Sequence, residues 1–144
     1  MSTRNRVAGT AGTRKRKFFT VQHANKSLVL LRRIVGEITD KYAKLLEVEE
    51  LIEAAEECHN SEQLGSYRQE LVFLVDSVHE CLEELDYTGV TIRDLRTGVI
   101  EFPAQHAGRE IRLCWVYGED EVSYWHELGA GLDSREEIDV LVAG

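Results

Sequence analysis

The sequence predicts an α+β protein, a long antiparallel helical hairpin packed with a small antiparallel β-meander. Three observations carry that expectation. Between residues 21 and 86 apolar side chains recur every three or four positions in two stretches, the period of a one-sided helix. From residue 90 to residue 128 the period changes to two, with glycine or proline between the runs, as short strands require. Between the helical stretches stands only Cys58-His59-Asn60-Ser61, a break so short that the helices must lie side by side. The divisions that follow are a basic arm over 1–17, one α+β domain over 18–132 and a tail over 133–144. Within the domain the hairpin takes 20–87 and the meander 90–128.

Residues 1–17 combine Gly, Ser and Thr with six bases and no acid, the composition of a flexible arm. Thr20 is placed to cap the first helix, with Phe18 or Phe19 folding back on its first turn. The helix runs from Val21 to about Glu57, with no proline and the single glycine Gly36. Its seam is Leu28, Leu31, Val35, Ile38, Tyr42 and Leu45, less regular afterwards through Val48, Leu51, Ile52 and Ala55. Asn60 or Ser61 caps the second helix, whose seam keeps an a/d pattern through Leu64, Tyr67, Leu71, Leu74, Val78, Cys81 and Leu85. Cys81 is a seam position and is read as buried. Val29, Leu30, Ile34, Val72, Phe73 and Val75 widen the apolar stripes beyond what two helices can cover. A β-layer, a second copy, or both must meet that surface, and a homodimer through the hairpin closes it most simply.

Gly89 ends the second helix. Val90-Thr91-Ile92-Arg93 and Val99-Ile100-Glu101-Phe102 read as strands joined by a turn, the second stopping at Pro103, with His106 in the connection 104–108. The stretch 109–132 holds both tryptophans and reads as a β-hairpin. A two-residue loop at Glu119-Asp120 would pair Tyr117 with Val122, Trp115 with Tyr124 and Leu113 with His126. That register sends His126 to the packed face and Cys114 with Trp125 to the other, so the two could not share a metal. Arg112, Cys114, Val116, Ser123 and Trp125 then cluster on the outer face, as a contact surface or as a second core layer. In the tail, Ile138, Val140 and Val142 alternate, so an added edge strand and disorder are both open.

Charge and composition exclude several classes. Hydrophobic and charged fractions of 43% and 30% are those of an ordinary globular chain. The net charge of −9 conceals a body near −15 once the six bases of the arm are set aside. So acidic a body does not bind a nucleic-acid backbone, which leaves only the arm for that role. No apolar run is long enough to span a bilayer and none follows the basic start, so neither export nor insertion is expected. Three cysteines at no metal-knuckle spacing fit free thiols in a reducing cytoplasm.

Two blocks carry a family resemblance. The first is Phe18-Phe19-Thr20-Val21, Ala24, Asn25 and Leu30-Leu31-Arg32-Arg33-Ile34-Val35. The second is Phe102-Pro103-Ala104, Gly108-Arg109-Glu110, Leu113-Cys114-Trp115, Gly118-Glu119, Tyr124-Trp125-His126-Glu127 and Ala130-Gly131. Over roughly residues 17–135 the chain resembles an uncharacterised bacterial family, domain of unknown function 2203. The resemblance implies a small cytoplasmic protein with a helical hairpin and a C-terminal β-layer. It implies no activity.

Candidate chemistry is sparse. Glu56-x-x-His59 and Asp76-x-x-His79 have the spacing of carboxylate-bridged metal sites in helix bundles. His59 falls at the hairpin tip, however, and His79 about five turns along the second helix, too far apart to share an ion. His126, between Trp125 and Glu127, is either a general base or ligand group in a shallow pocket, or a half-buried histidine donating to a backbone carbonyl or a helix carboxylate. Arg112, Glu119 and Arg135 stand near it without a spacing that implies a reaction. No nucleophile elbow, phosphate loop, Cys-x-x-Cys or His-Glu-x-x-His is present. The chain is therefore expected to be a non-enzymatic, homo-oligomeric interaction or scaffolding module with no cofactor and no resident metal. The alternative is a metal- or small-ligand-binding enzyme centred on the C-terminal β-hairpin, with Arg112, Trp125 and His126 as the ligand-binding residues.

Overall fold

The computed structural model describes residues 17–138. The expected arm up to residue 16 and the tail positions Val140 and Val142 lie outside them. Helix α1 runs Val21–Glu57 and helix α2 Ser61–Tyr87. Thr20 is extended and its Oγ1 accepts the His23 N–H at 3.0 Å, satisfying one donor that the first turn leaves open. Phe19, just outside, is buried, stacks on the His23 ring and gives its N–H to the Pro103 carbonyl at 2.7 Å. That bond ties the start of α1 to the sheet. Asn60 caps α2 through Gln63 N–H at 3.1 Å, and Gly89, at φ +87, follows its end.

Five antiparallel strands form a meander in the order β1-β2-β3-β4-β5. They are β1 Thr91–Asp94, β2 Val99–His106, β3 Arg109–Val116, β4 Tyr124–Glu127 and β5 Glu136–Glu137. The core lies where this sheet meets the base of the hairpin. Leu28, Leu31, Ile34 and Ile38 of α1 and Leu85 of α2 bury against Ile100, Phe102, Ile111, Leu113 and Trp115. Toward the tip the helices cover only each other. Val48, Ala55 and Leu74 are buried there, but Leu64, Tyr67 and Leu71 of the a/d seam stay half-exposed. Of the residues expected to widen the stripes, Ile34 is buried, whereas Val29, Leu30, Val72, Phe73 and Val75 are exposed.

Three expectations need correction. Strand β2 does not stop at Pro103 but continues to His106. Proline is tolerated because β1 pairs with β2 only over residues 99–101, so beyond them β2 has a free edge where no N–H is needed. His106 consequently ends a strand instead of lying in a loop, and Ala107 and Gly108, both at positive φ, make the tight turn. The sheet also has a fifth strand. A 3-10 turn, Leu132–Ser134, brings Glu136 and Glu137 beside Trp125 and Tyr124, and Ile138 enters the core.

Two glycines let α1 approach the sheet. A Cβ at Gly36 would sit 2.8 Å from the Tyr117 hydroxyl, so a larger residue there would displace the half-exposed Tyr117 ring. Gly98, at φ +78, leaves no room either: its Cβ would lie 2.8 Å from Tyr117 Cβ and 2.9 Å from Val35 Cγ1.

Candidate functional site

The β3–β4 hairpin is where candidate residues concentrate, and its register differs from the expected one by a single residue. Leu113 faces Trp125, Cys114 faces Tyr124 and Arg112 faces His126. A one-residue slip exchanges the two faces of a strand. Trp125 therefore turns inward to the core, while Tyr124 and His126 turn outward to the face that carries Cys114 and Arg112. The expected outer cluster thus loses Trp125, and His126 and Cys114 share a face that sequence reasoning had denied them.

The loop explains the slip. Residues 117–123 make the connection, not two residues, and several bonds hold it. Glu119 uses its carbonyl to accept Trp115 Nε1–H at 3.0 Å and its carboxylate to accept Val116 N–H at 3.0 Å. Asn25 of α1 accepts Val122 N–H at 2.6 Å, and Arg32 donates to the Asp120 carbonyl. Burying the indole of Trp125 removes more apolar surface from water than burying an imidazole in its place. The pattern of alternation could not register that difference.

On the outer face the strands assemble a buried polar cluster. Glu101 of β2 lies beside Cys114 in the ladder, and its carboxylate reaches across β3 to His126 of β4, 2.9 Å from Oε2 to Nε2. His126 is 2% exposed and Glu101 5%. Nδ1 of His126 meets the Glu127 carbonyl at 2.9 Å. Both ring nitrogens thus face acceptors. Oε1 of Glu101 lies 3.4 Å from Arg93 and 3.9 Å from Arg112, and Arg112 is also paired with Glu110.

A second set of contacts roofs the same face. Arg135 pairs with both carboxylate oxygens of Glu119, at 3.4 and 2.8 Å, and lies 4.0 Å above the Tyr124 ring. Its guanidinium is 4.0 Å from Cys114 Sγ. Burial pushes the Cys114 thiol above its ordinary value, against the pull of Arg135. A protonated, buried thiol is a poor nucleophile.

The three sequence-picked residues are therefore not one site. Arg112 and His126 belong to the outer cluster and Trp125 to the core, where its Nε1 has no hydrogen-bond partner among the described residues. A concavity of about 230 Å³ opens between the start of α1 and the end of β2, lined by Phe19, Thr20, Ala104, His106 and Ile111 among others. None of Arg112, Trp125 and His126 lines it. His59 adopts φ +56 in the hairpin turn and His79 sits on α2, both exposed. Among the described residues no group of three or more His, Cys, Asp or Glu could hold a metal ion.

Glu101 is the residue that sequence reasoning missed. A signal existed, since an acid interrupts the apolar run Val99-Ile100-Glu101-Phe102, and an acid in a buried strand requires a partner. Arg135 and Glu119 were singled out without a role, and the structure joins them. Chemically, the outer cluster crosslinks β2 to β4 over β3. Both His126 and Glu101 are buried within it.

Among the described residues no helix is long and apolar enough to cross a membrane. Fold and site together define an α+β protein in which a projecting helical hairpin stands on a five-stranded meander that carries a buried polar cluster. Residues 17–138 match the model of the uncharacterised conserved protein family DUF2203, and the chain belongs to that family. No curated protein and no solved structure matches it.

Proposed function

We propose that the chain acts as a homodimeric interaction or scaffolding module in a bacterial cytoplasm, and that its projecting hairpin is the working surface. The observation that carries this reading is the uncovered apolar surface of the hairpin. Phe73 is 69% exposed and Val72 62%, with Leu51 and Val75 also open to water. Leu64, Tyr67 and Leu71, in the a/d seam, are only half covered by α1. Two helices cannot close such a seam, whereas four can, in coiled-coil fashion. The buried state of His126 and Glu101 supports a structural role for the polar cluster. The free thiols among the described residues suit a reducing compartment.

Light scattering on the size-exclusion peak tests the proposal. The expected mass is twice the 16.4 kDa of the chain, and Phe73→Glu should return it to one chain. A strict monomer at every concentration up to the high micromolar range would overturn it. The alternative, a metal- or small-ligand-binding enzyme at the β3–β4 hairpin through Arg112, Trp125 and His126, draws less support, since Trp125 lies in the core and His126 is buried against Glu101. Elemental analysis of the purified protein tests that one, and a stoichiometric transition metal would support it.

A further inference from the structure

Strand β1 ends the sheet order, so along its outer side no strand pairs with it among the described residues. The ladder shows which of its backbone groups face that side. The Pro103 carbonyl accepts from Phe19, away from β3, so by alternation Glu101 turns its N–H and C=O toward β1. Thr91, opposite Glu101, spends its own groups on that pairing. Ile92 and, just before the strand, Val90 therefore point theirs to the open edge, while both side chains pack on the core. The last turns of α2 flank the same edge. Between them lies a groove of about 370 Å³, lined by His79, Leu82, Glu83, Asp86, Val90 and Ile92 among others. Leu82 and Ile92 are half-buried in it, Glu83 and Asp86 are exposed on its rim, and no Lys or Arg lines it among the described residues. Of the nearest bases, Arg33 is paired with Glu84, and Arg93 with Glu101 on the opposite face of the sheet.

We infer that the groove between α2 and β1 docks a short extended segment of another protein as an added strand, with one apolar anchor between basic residues. Main-chain bonds to an open strand edge give such a contact its affinity, and a pocket for alternate side chains gives its selectivity. A residue opposite Ile92 exchanges backbone bonds with it and turns its side chain inward, onto Leu82 and Ile92. The residues two positions away on either side share that face and reach the carboxylates of Glu83 and Asp86. Charge complementarity sets the sign of those residues, since the rim is acidic and the chain as a whole carries −9. The register shift between Ile92 and Asp94 ends the regular edge, so it takes a few residues and not a long strand. A second copy pairing through β1 would bring two acidic rims together, which disfavours that occupant. Phe73 stands nine residues before Leu82, about 14 Å along α2 and on its opposite side, so the groove does not depend on the homodimer proposed above.

The probe is a set of four acetylated peptide amides, Thr-Lys-Thr-X-Thr-Lys, in which X is Val, Ile, Leu or Phe. Titrated into the full chain, at least one should give saturable NMR shifts at Leu82, Val90 and Ile92. Replacing its lysines by glutamates should weaken binding about tenfold or more, and so should methylating the backbone nitrogen of X, which removes the donor to Ile92. Glu83→Lys, at an exposed position, should weaken the lysine peptide in the same way and leave the thermal midpoint within about 2 °C of wild type. No saturable shift from any of the four up to about 1 mM would overturn the inference. So would binding indifferent to the lysines or to the methyl group. Leu82 and Ile92 signals that move on dilution of the chain alone would assign the groove to a second copy and overturn it as well. The mass from light scattering bears on the homodimer alone.

Discussion

Cutting the buried contact between Glu101 and His126 should unfold the sheet more readily than removing either residue's apolar contacts would. The two side chains meet at 2.9 Å and are 7% and 2% exposed. In Glu101→Ala the buried imidazole nitrogen loses its carboxylate partner. Arg112 keeps Glu110 as a partner, and Arg93, more than half exposed, loses little. Breaking one side of a buried ionic contact costs about 3–5 kcal/mol. For a chain of this size that lowers Tm by roughly 6–20 °C, at about 2–4 °C per kcal/mol. The double variant Glu101→Leu/His126→Leu removes both polar groups and refills the space, and should recover most of the loss, to within about 2 kcal/mol of wild type. Urea unfolding followed by the fluorescence of Trp115 and Trp125, both core residues, reads the difference at one fixed protein concentration. A single variant that costs less than about 1 kcal/mol, or a double variant no better than the single, would refute the reasoning.

Gly98→Ala combines an unfavourable positive φ with contacts under 3 Å and should destabilise by about 2–5 kcal/mol. Gly108→Ala has the same sign of φ but nothing within 4 Å, and should cost only about 1–2 kcal/mol; equal losses would show that α1 does not approach Gly98 closely. A thiol reagent applied to the native protein should react rapidly with one equivalent, at Cys58, and with Cys81 and Cys114 only after unfolding. Burial raises the thiols of Cys81 and Cys114 above their ordinary value. Their contribution to stability is then complete below roughly pH 8.5, the unfolded thiol value, and is lost as pH rises through the higher folded values. Alkaline titration of the urea midpoint should accordingly fall less steeply in Cys114→Ala than in wild type.

Legibility followed the range of the interactions. The bounds of α1, its Thr20 cap and the buried position of Cys81 were all readable, and the cap of α2 was narrowed to Asn60 or Ser61, because helix periodicity and capping act within about four residues of chain. The run past Pro103 was not, since whether a proline breaks a strand depends on whether a neighbouring strand needs its N–H. An added edge strand in the tail was one of two open readings, but its position at Glu136–Glu137 was hidden. Two glutamates carry no β-pattern, and they pair only because the 3-10 turn and the Arg135–Glu119 bridge deliver them to the β4 edge.

By itself the sequence determined the α+β class, the helical hairpin and the approximate place of the first four strands, all written in spacings between near neighbours. The tertiary structure alone decided the register of β3 on β4, and with it which residues meet. Alternation leaves two registers open when both faces carry large side chains. Asn25, Arg32 and Glu119 close the question from far along the chain or from within the loop, turning Trp125 inward and His126 toward Glu101.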